Sequence, residues 1–542
     1  MMQWTQHLII LPVLLPLLTG AALLFFAERQ RVIKSMISLA SCLTLSFVAI
    51  LLLGVSANQG EFSGVYLLGN WASPFGIVLV LDRLSSLMVA LAAVLSVPVL
   101  VFTLARWHSA GAHFHSLYQF LLMGLNGAFL TGDLFNLFVF FEVMLAASYG
   151  LLLHGSGPLR VKAGMHYIAV NLAAALLFLI GVSLIYGTAG TLNMADLAAR
   201  IPAIEPDRRM LMEAGAAVLG VAFLVKAGMW PLCFWLPSTY SVAAAPVAAI
   251  FSLMSKVGIY IILRLTMLLF SDGPSEGFGS SLLLYGGMAT LAFGIVGVLA
   301  SQALARIGAY SVLVSSGTLL AVMGLNDAAA TSGALLYLLS STLTLGAFFL
   351  LVELVERCQV AGAGVLAVTM EAYGDADEDE PEELDGITMP GTLAMLGICF
   401  AACTILLAGL PPLSGFAAKL GILSAIIGTG SIGVPPSGPA LAVAALIIVA
   451  GLSTLIALSR AGIRTFWSSI EVTVPRVLVV EVVPILLLLA MLVALTVKAG
   501  PALAFMEAAV SSASRPAAYL DKVMEEDPLP LWRDENPQKV GN

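Results

Sequence analysis

TGDLFNLFVFFEVMLAASYGLLL, residues 131–153, is the stretch that decides the fold. From Leu134 to Leu153 it runs for twenty residues with one charge, Glu142. Wound as a helix, such a run spans about 30 Å, the thickness of the hydrocarbon layer of a bilayer. Eight residues of the run precede Glu142 and eleven follow it, so its carboxylate cannot simply reach a headgroup from one end. An acid at that depth is costly to insert and needs a partner or water. Three lysines, Lys226, Lys256 and Lys419, each stand alone inside another apolar stretch and are the candidate partners.

The rest of the chain has the same character. Of 542 residues 60% are hydrophobic and 10% charged, and the mean hydropathy is +1.01; soluble chains carry about 25% charge. The composition predicts an all-α polytopic membrane protein with one membrane domain, residues 1–500, and a polar C-terminal tail, residues 501–542. The N-terminus, MMQWTQHL, has no basic region, and the apolar run behind it is too long for a signal-peptide core, so it is expected to stay as a first helix. Nine acids crowd residues 371–385, and removing their charges from the formal −8 leaves +1, so neither an acidic substrate nor nucleic acid is implied. Of five scattered cysteines, Cys399 and Cys403 stand at i and i+4 with no histidine nearby and read as small apolar fillers. The chain contains no Walker loop, nucleotide fingerprint, zinc motif or haem motif, and no cofactor or metal is expected.

Fourteen apolar segments follow one another, near 6–26, 34–54, 83–105, 115–132, 134–154, 163–187, 211–235, 241–270, 280–301, 304–325, 331–354, 392–427, 438–460 and 478–499. The loops after odd-numbered segments hold eleven Lys and Arg and those after even-numbered segments four, the tail aside. By the positive-inside rule the odd-numbered loops are cytoplasmic and both termini lie outside, on the periplasmic side. The acidic loop 356–391, between segments 11 and 12, reads as a solvated linker.

Two segments look broken. The seventh reads AFLVKAGMWPLCFWLP, with Pro231 five residues after Lys226, and the twelfth reads LLAGLPPLSGFAAKLG, with Gly409, Pro411, Pro412 and Gly415 before Lys419. Proline removes a helical hydrogen bond, and the freed carbonyls must face protein or water rather than lipid. Two interrupted helices, each with a lysine and five segments apart, suggest an internal repeat of segments 4–8 and 9–13. Because five is odd, the second copy would be inverted.

Lys226 and Lys256 each sit fifteen residues into a segment, beyond easy reach of an interface. Burial disfavours the charged form of a lysine and a nearby carboxylate restores it, so a lysine held between the two can change protonation when a neighbouring charge moves. That is the physics of a proton relay; static ion pairs pinning the bundle are the alternative. Ser252, Ser255, Tyr310, Ser315, Tyr337, Ser340 and Ser341 fall inside segments 8, 10 and 11 and are candidates to carry water between stations, although such hydroxyls more often bond helix to helix. His166, near the start of segment 6, is a candidate proton collector, while His154 reads as a surface histidine. Asp82 and Asp133 read as interfacial acids, and Arg264 as an interfacial base.

GDLFNLFVFFEVMLAASYGLLL, with FLVKAGMWPLCFWLPSTYSVAAAPVAAIFSLMSKVGIYIILR (223–264) and GLPPLSGFAAK (409–419), closely resembles the D subunits of the Mrp-type multisubunit monovalent cation/proton antiporters. It resembles the three antiporter-like membrane subunits of respiratory complex I more distantly. The resemblance covers residues 80–500. It implies fourteen helices with inverted five-helix repeats, a coupled pair at Glu142 and Lys226, a central station at Lys256 and a further one at Lys419. It also implies a bacterial inner-membrane complex with one large and several small membrane subunits as partners, exchanging protons for Na⁺ or K⁺. A proton-pumping subunit of an NADH dehydrogenase or membrane hydrogenase is the other reading within the same superfamily. Many relatives carry His or Lys on the eleventh helix, where this chain has SSTLTLGAFFL (340–350).

Overall fold

Short local signals start and stop the helices. In the computed structural model, Asp82 accepts from Ser85 N at 2.7 Å and opens one helix, and Asp133 accepts from Asn136 N at 2.8 Å and opens another; each satisfies a donor that helix geometry leaves orphaned. The structure describes residues 7–58, 64–373, 391–428, 436–466 and 477–526, without the side chains of 358–373.

The helices are α1 (Leu11–Leu24), α2 (Arg31–Asn58), α3 (Arg83–Thr103), α4 (Phe114–Leu130), α5 (Leu134–Leu153), α6 (Pro158–Ala189), α7 (Pro206–Ala227, resuming at Trp235–Tyr240), α8 (Ala245–Leu269), α9 (Ser280–Ala300), α10 (Leu304–Met323), α11 (Ala328–Tyr373), α12 (Gly391–Ala408, resuming at Ser414–Ile427), α13 (Gly438–Phe466) and α14 (Val479–Val497). Among the described residues twelve helices are long and apolar enough to cross a membrane, and α1 and the second piece of α12 are shorter apolar helices. The chain is thus an all-α multi-pass membrane protein. Helix α8 is buried along its whole length, α10 and residues 328–357 of α11 almost so, whereas α6 and α14 leave most of their surface at the periphery. Glycines let the inner helices close up: a Cβ on Gly317 of α10 would lie 2.5 Å from Leu291 N of α9, the small-residue contact that replaces hydrophobic driving force in lipid.

Three features differ from the sequence reading. A small antiparallel hairpin, β1 (Gly64–Leu67) and β2 (Val78–Leu81), pairs Gly64 with Leu81 and Leu67 with Val78 ahead of α3; four-residue strands are too short to leave a readable alternation. Helix α11 continues to Tyr373, past the expected end near 354, because the sequence stays apolar and helix-compatible until the acids begin at Glu371. The remainder of the acidic loop lies outside the described residues. Residues of the expected tail form α15 (Ala499–Ala513) and α16 (Pro516–Met524), since Met506, Ala509 and Val510 make an apolar stripe that packs against α11 and α3; Pro528, Pro530 and Trp532 lie outside the described residues.

The connections segregate by parity. Residues of the loops after α3 and α7, the first turns of α6 (Arg160) and α10 (Ala305), and residues 349–357 of α11 meet around one cavity. On the opposite face Leu79 bridges Thr131 and Asp133 bridges Asn193, joining the loops after α2, α4 and α6.

Candidate functional site

Lys226 occupies the last turn of the first piece of α7, which Gly228 ends in a left-handed conformation at φ 76°. Its ammonium, 3% exposed, donates to Tyr167 Oη at 3.3 Å and Asn171 Oδ1 at 3.4 Å, both on α6, and lies 5.4 Å from the Tyr167 ring centroid. Tyr167 Oη is in turn 2.8 Å from Ser148 Oγ on α5. Glu142 sits on the outward stripe of α5 with Phe135, Val139 and Ala146 and is half-buried. Its Oε1 has no hydrogen-bond partner in the chain. The expected close contact with Lys226 is not made: no ion pair within 4.0 Å joins them. A cavity of about 10 Å³ lies between, bounded by Glu142, Asn171 and Lys226, room for about one water.

Lys256 is fully buried on α8 and donates to Ser315 Oγ of α10 at 2.8 Å. Gly258 brings this turn of α8 against the Lys226 turn of α7, since a Cβ there would lie 2.7 Å from Phe223 O and 3.3 Å from Lys226 Cβ. Ser315 Oγ is 2.9 Å from Ser341 Oγ of α11. The neighbouring Ser340 Oγ is 2.9 Å from Ser414 Oγ, at the start of the second piece of α12. Lys419, on that piece, reaches back to the break and donates to Ala408 O at 2.8 Å and Leu407 O at 3.3 Å. These are carbonyls that the end of the first piece leaves unpaired, at the end of a helix where a cation is favoured. Gly409 (φ 75°) makes room, because a Cβ on it would lie 2.5 Å from Lys419 Cδ. Lys226 and Lys419 therefore both stand at the C-terminal end of a first half-helix, one by sequence and one by reach.

The remaining expectations divide. Ser252 is buried and donates to Ala249 O at 2.7 Å and Thr342 O at 3.4 Å. Tyr337 is buried one turn from Ser341, with its hydroxyl beside Ser315 and Thr318. Tyr310 instead packs its ring on Gly297 of α9, Pro231 is exposed at the periphery, and His166 is exposed on α6, away from Lys226. His154 is 5% exposed rather than at the surface, and its Nε2 is 2.8 Å from Trp107 O. Asp82 and Arg264 are not interfacial singles but a buried two-pronged pair, with Nη2 to Oδ1 at 2.9 Å, and the Tyr519 ring of α16 lies 5.7 Å from the guanidinium. Sequence reasoning missed Tyr167 and Asn171. Their spacing at i and i+4 within an apolar helix is the signal that marks them. Ser414 was hidden in the break.

At the odd-loop face a cavity of about 580 Å³ is lined by Arg106, Trp107, Arg160, Glu353, Glu356 and Arg357 and reaches Tyr240 and Ala248. Trp107 Nε1 donates to Glu353 Oε2 at 2.8 Å, and Arg357 pairs with the buried Glu481 at 2.8 Å. Ala248 stands eight residues before Lys256, about 12 Å along α8. Among the described residues no cluster of three or more His, Cys, Asp or Glu side chains could hold a metal ion.

Residues 131–434 match the family model described as NADH:quinone oxidoreductase/Mrp antiporter, TM. The chain is 58% identical to the D subunit of a probable K(+)/H(+) antiporter of Rhizobium meliloti, over 97% of this chain and 98% of that one. It is 34% identical to the D subunit of the Na(+)/H(+) antiporter of Alkalihalophilus pseudofirmus, over 96% and 100%. Among solved structures, a chain of the Mrp complex from a Dietzia species superposes with a TM-score of 0.81 at 26% identity, covering 96% of this chain and 99% of that one.

Proposed function

Because the chain belongs to the family of Mrp-type antiporter D subunits, a family of transporter subunits rather than enzymes, we propose that it carries the protons in a monovalent cation/proton exchange. The protons move along Glu142, Lys226, Lys256 and Lys419. One observation carries this reading. Each of the three lysines of this row donates only to neutral oxygens, and among the described residues none of them has a carboxylate within 4.0 Å. Static ion pairs, the main alternative, need charges in contact. A lysine held by hydroxyls and carbonyls can give up and regain a proton without breaking an ion pair, and those oxygens remain as acceptors.

The central section runs Lys256, Ser315, Ser341, then the adjacent Ser340 and Ser414, then Lys419. Hydroxyls both donate and accept, so this row stands where many relatives have an ionisable residue on the eleventh helix. The cavity below Ala248 supplies water access from the odd-loop face, which the Lys and Arg bias makes cytoplasmic. The membrane is then the bacterial inner membrane, with both termini on the periplasmic side. Two five-helix repeats, α4–α8 and α9–α13 in opposite orientation, give each half one broken helix and one lysine at its break.

The exchanged cation follows the relative of 58% identity, whose name gives K⁺; Na⁺ follows the name of the one at 34%. Other membrane subunits complete the transporter, since the described residues hold no cluster of three His, Cys, Asp or Glu side chains and a similar solved chain belongs to a multisubunit complex. The test is cation-driven proton movement in everted vesicles. The whole complex exchanges protons for K⁺ more effectively than for Na⁺, and this chain reconstituted alone exchanges neither. Robust exchange by the isolated chain contradicts the reading, and a Na⁺ preference of the complex reassigns the cation.

A further inference from the structure

An apolar cleft opens between α7, α8 and α9 towards the even-loop face, with a volume of about 170 Å³. Its walls are Met212 to Leu224 on α7, Ile262 to Leu269 on α8 and Leu282 and Leu283 on α9. Thr266 is the polar side chain among them, and its hydroxyl donates to Ile262 O at 2.9 Å within its own helix. From Met212 to Leu224 the cleft follows twelve residues of helix, about 18 Å, close to the roughly 15 Å of one leaflet's hydrocarbon. It is open at the outer surface of these apolar helices, where Leu282 is 53% exposed. At the headgroup end the cleft runs into a second cavity of about 240 Å³, and Thr266, Phe270, Phe278 and Leu283 line both. The rings of Phe270 and Phe278, 5.3 Å apart, frame the passage. This outer cavity carries two charged side chains, Glu276 and Asp327, with Asn326, Ser271 and Ser280 around them, and neither cavity has a lysine or arginine in its lining.

We propose that the joined cavities bind one phospholipid with an amine headgroup, an acyl chain in the α7–α8–α9 cleft and the ammonium beside Glu276 and Asp327. A dry groove one leaflet deep that opens sideways into the bilayer is filled by hydrocarbon, because water gains no partners there. Two carboxylates without a base attract an ammonium and repel an anionic headgroup. Leu224 ends the cleft.

The test is the lipid retained by the intact complex, purified from membranes that mix phosphatidylethanolamine with phosphatidylglycerol. This readout does not depend on transport. Three proteins are compared: wild type, Gly220→Leu, and Glu276→Gln combined with Asp327→Asn. Gly220 lines the cleft and a Cβ on it would meet nothing within 4 Å, so leucine fills the space and favours the helix. Asparagine at 327 still accepts from Ala330 N, which Asp327 does at 2.6 Å, and keeps the helix cap. Wild type retains phosphatidylethanolamine preferentially, Gly220→Leu loses that lipid, and the double variant keeps a lipid with the preference reduced about threefold. Equal retention of both lipids by wild type overturns the proposal. So does unchanged retention in Gly220→Leu, or cross-linking that finds a helix of another subunit in the cleft.

Discussion

At the scale of single residues the account turns on how lone charges are held. Glu142 and Lys226 face each other across a one-water cavity instead of touching. A double-mutant cycle on thermal stability with Glu142→Gln and Lys226→Ala should therefore give a coupling of about 1–2 kcal/mol, less than the about 3–5 kcal/mol lost on breaking a contacting buried pair. Each single variant loses exchange. Strict additivity would mean that the two charges do not feel one another. The four relay candidates were legible because a charge inside an apolar run is conspicuous. What holds them was less so. Tyr167, Asn171 and Ser414 are neutral, and nothing in their own segments says which helix they face. Asp82 and Arg264 were misread for the same reason: 182 positions separate them, and proximity across that distance is a property of packing, not of either segment.

At the scale of elements, the interruptions of α7 and α12 were readable because glycine and proline act locally through the backbone. The outcome at each break needed the fold: Trp235 Nε1 donates to Val225 O at 3.2 Å in α7, and Lys419 does the same for Ala408 O in α12. Gly409→Ala tests the second. Alanine at φ 75° costs about 1–2 kcal/mol, and its methyl displaces Lys419, so stability and exchange both fall. Gly187→Ala, in an open stretch of α6, should be neutral or slightly stabilising. Equal effects at the two positions would remove the special role of the α12 break. The pairing of α3 with α8 makes a further prediction. Asp82→Asn keeps the α3 cap but leaves Arg264 buried without its partner, at a cost of about 3–5 kcal/mol; adding Arg264→Met recovers much of it. Thermal unfolding of the assembled complex measures both, and a loss under about 1 kcal/mol for Asp82→Asn would show that water reaches the pair.

At the scale of the whole molecule, hydropathy alone delivered the order of the apolar segments, twelve of which are, among the described residues, helices long enough to cross a membrane, because a bilayer forces every span to be a closed run of backbone hydrogen bonds. It was silent on the hairpin β1–β2 and on α15 and α16, which lie on the even-loop face where water relaxes that constraint. The inner helices α8, α10 and α11 form one buried axis, along which Lys256 bonds Ser315, Ser315 pairs with Ser341, and the neighbouring Ser340 pairs with Ser414 of α12. Lys256 stands on this axis with α7 on one side and α10 on the other, so in the proposed relay protons moving between the two lysines at the breaks pass it. The decisive measurement is cation-driven proton flux in everted vesicles that carry the whole complex with Lys256→Met, beside a check that the complex assembles. Assembled complex with exchange abolished is the expected result; assembled complex with exchange near wild type would contradict the relay.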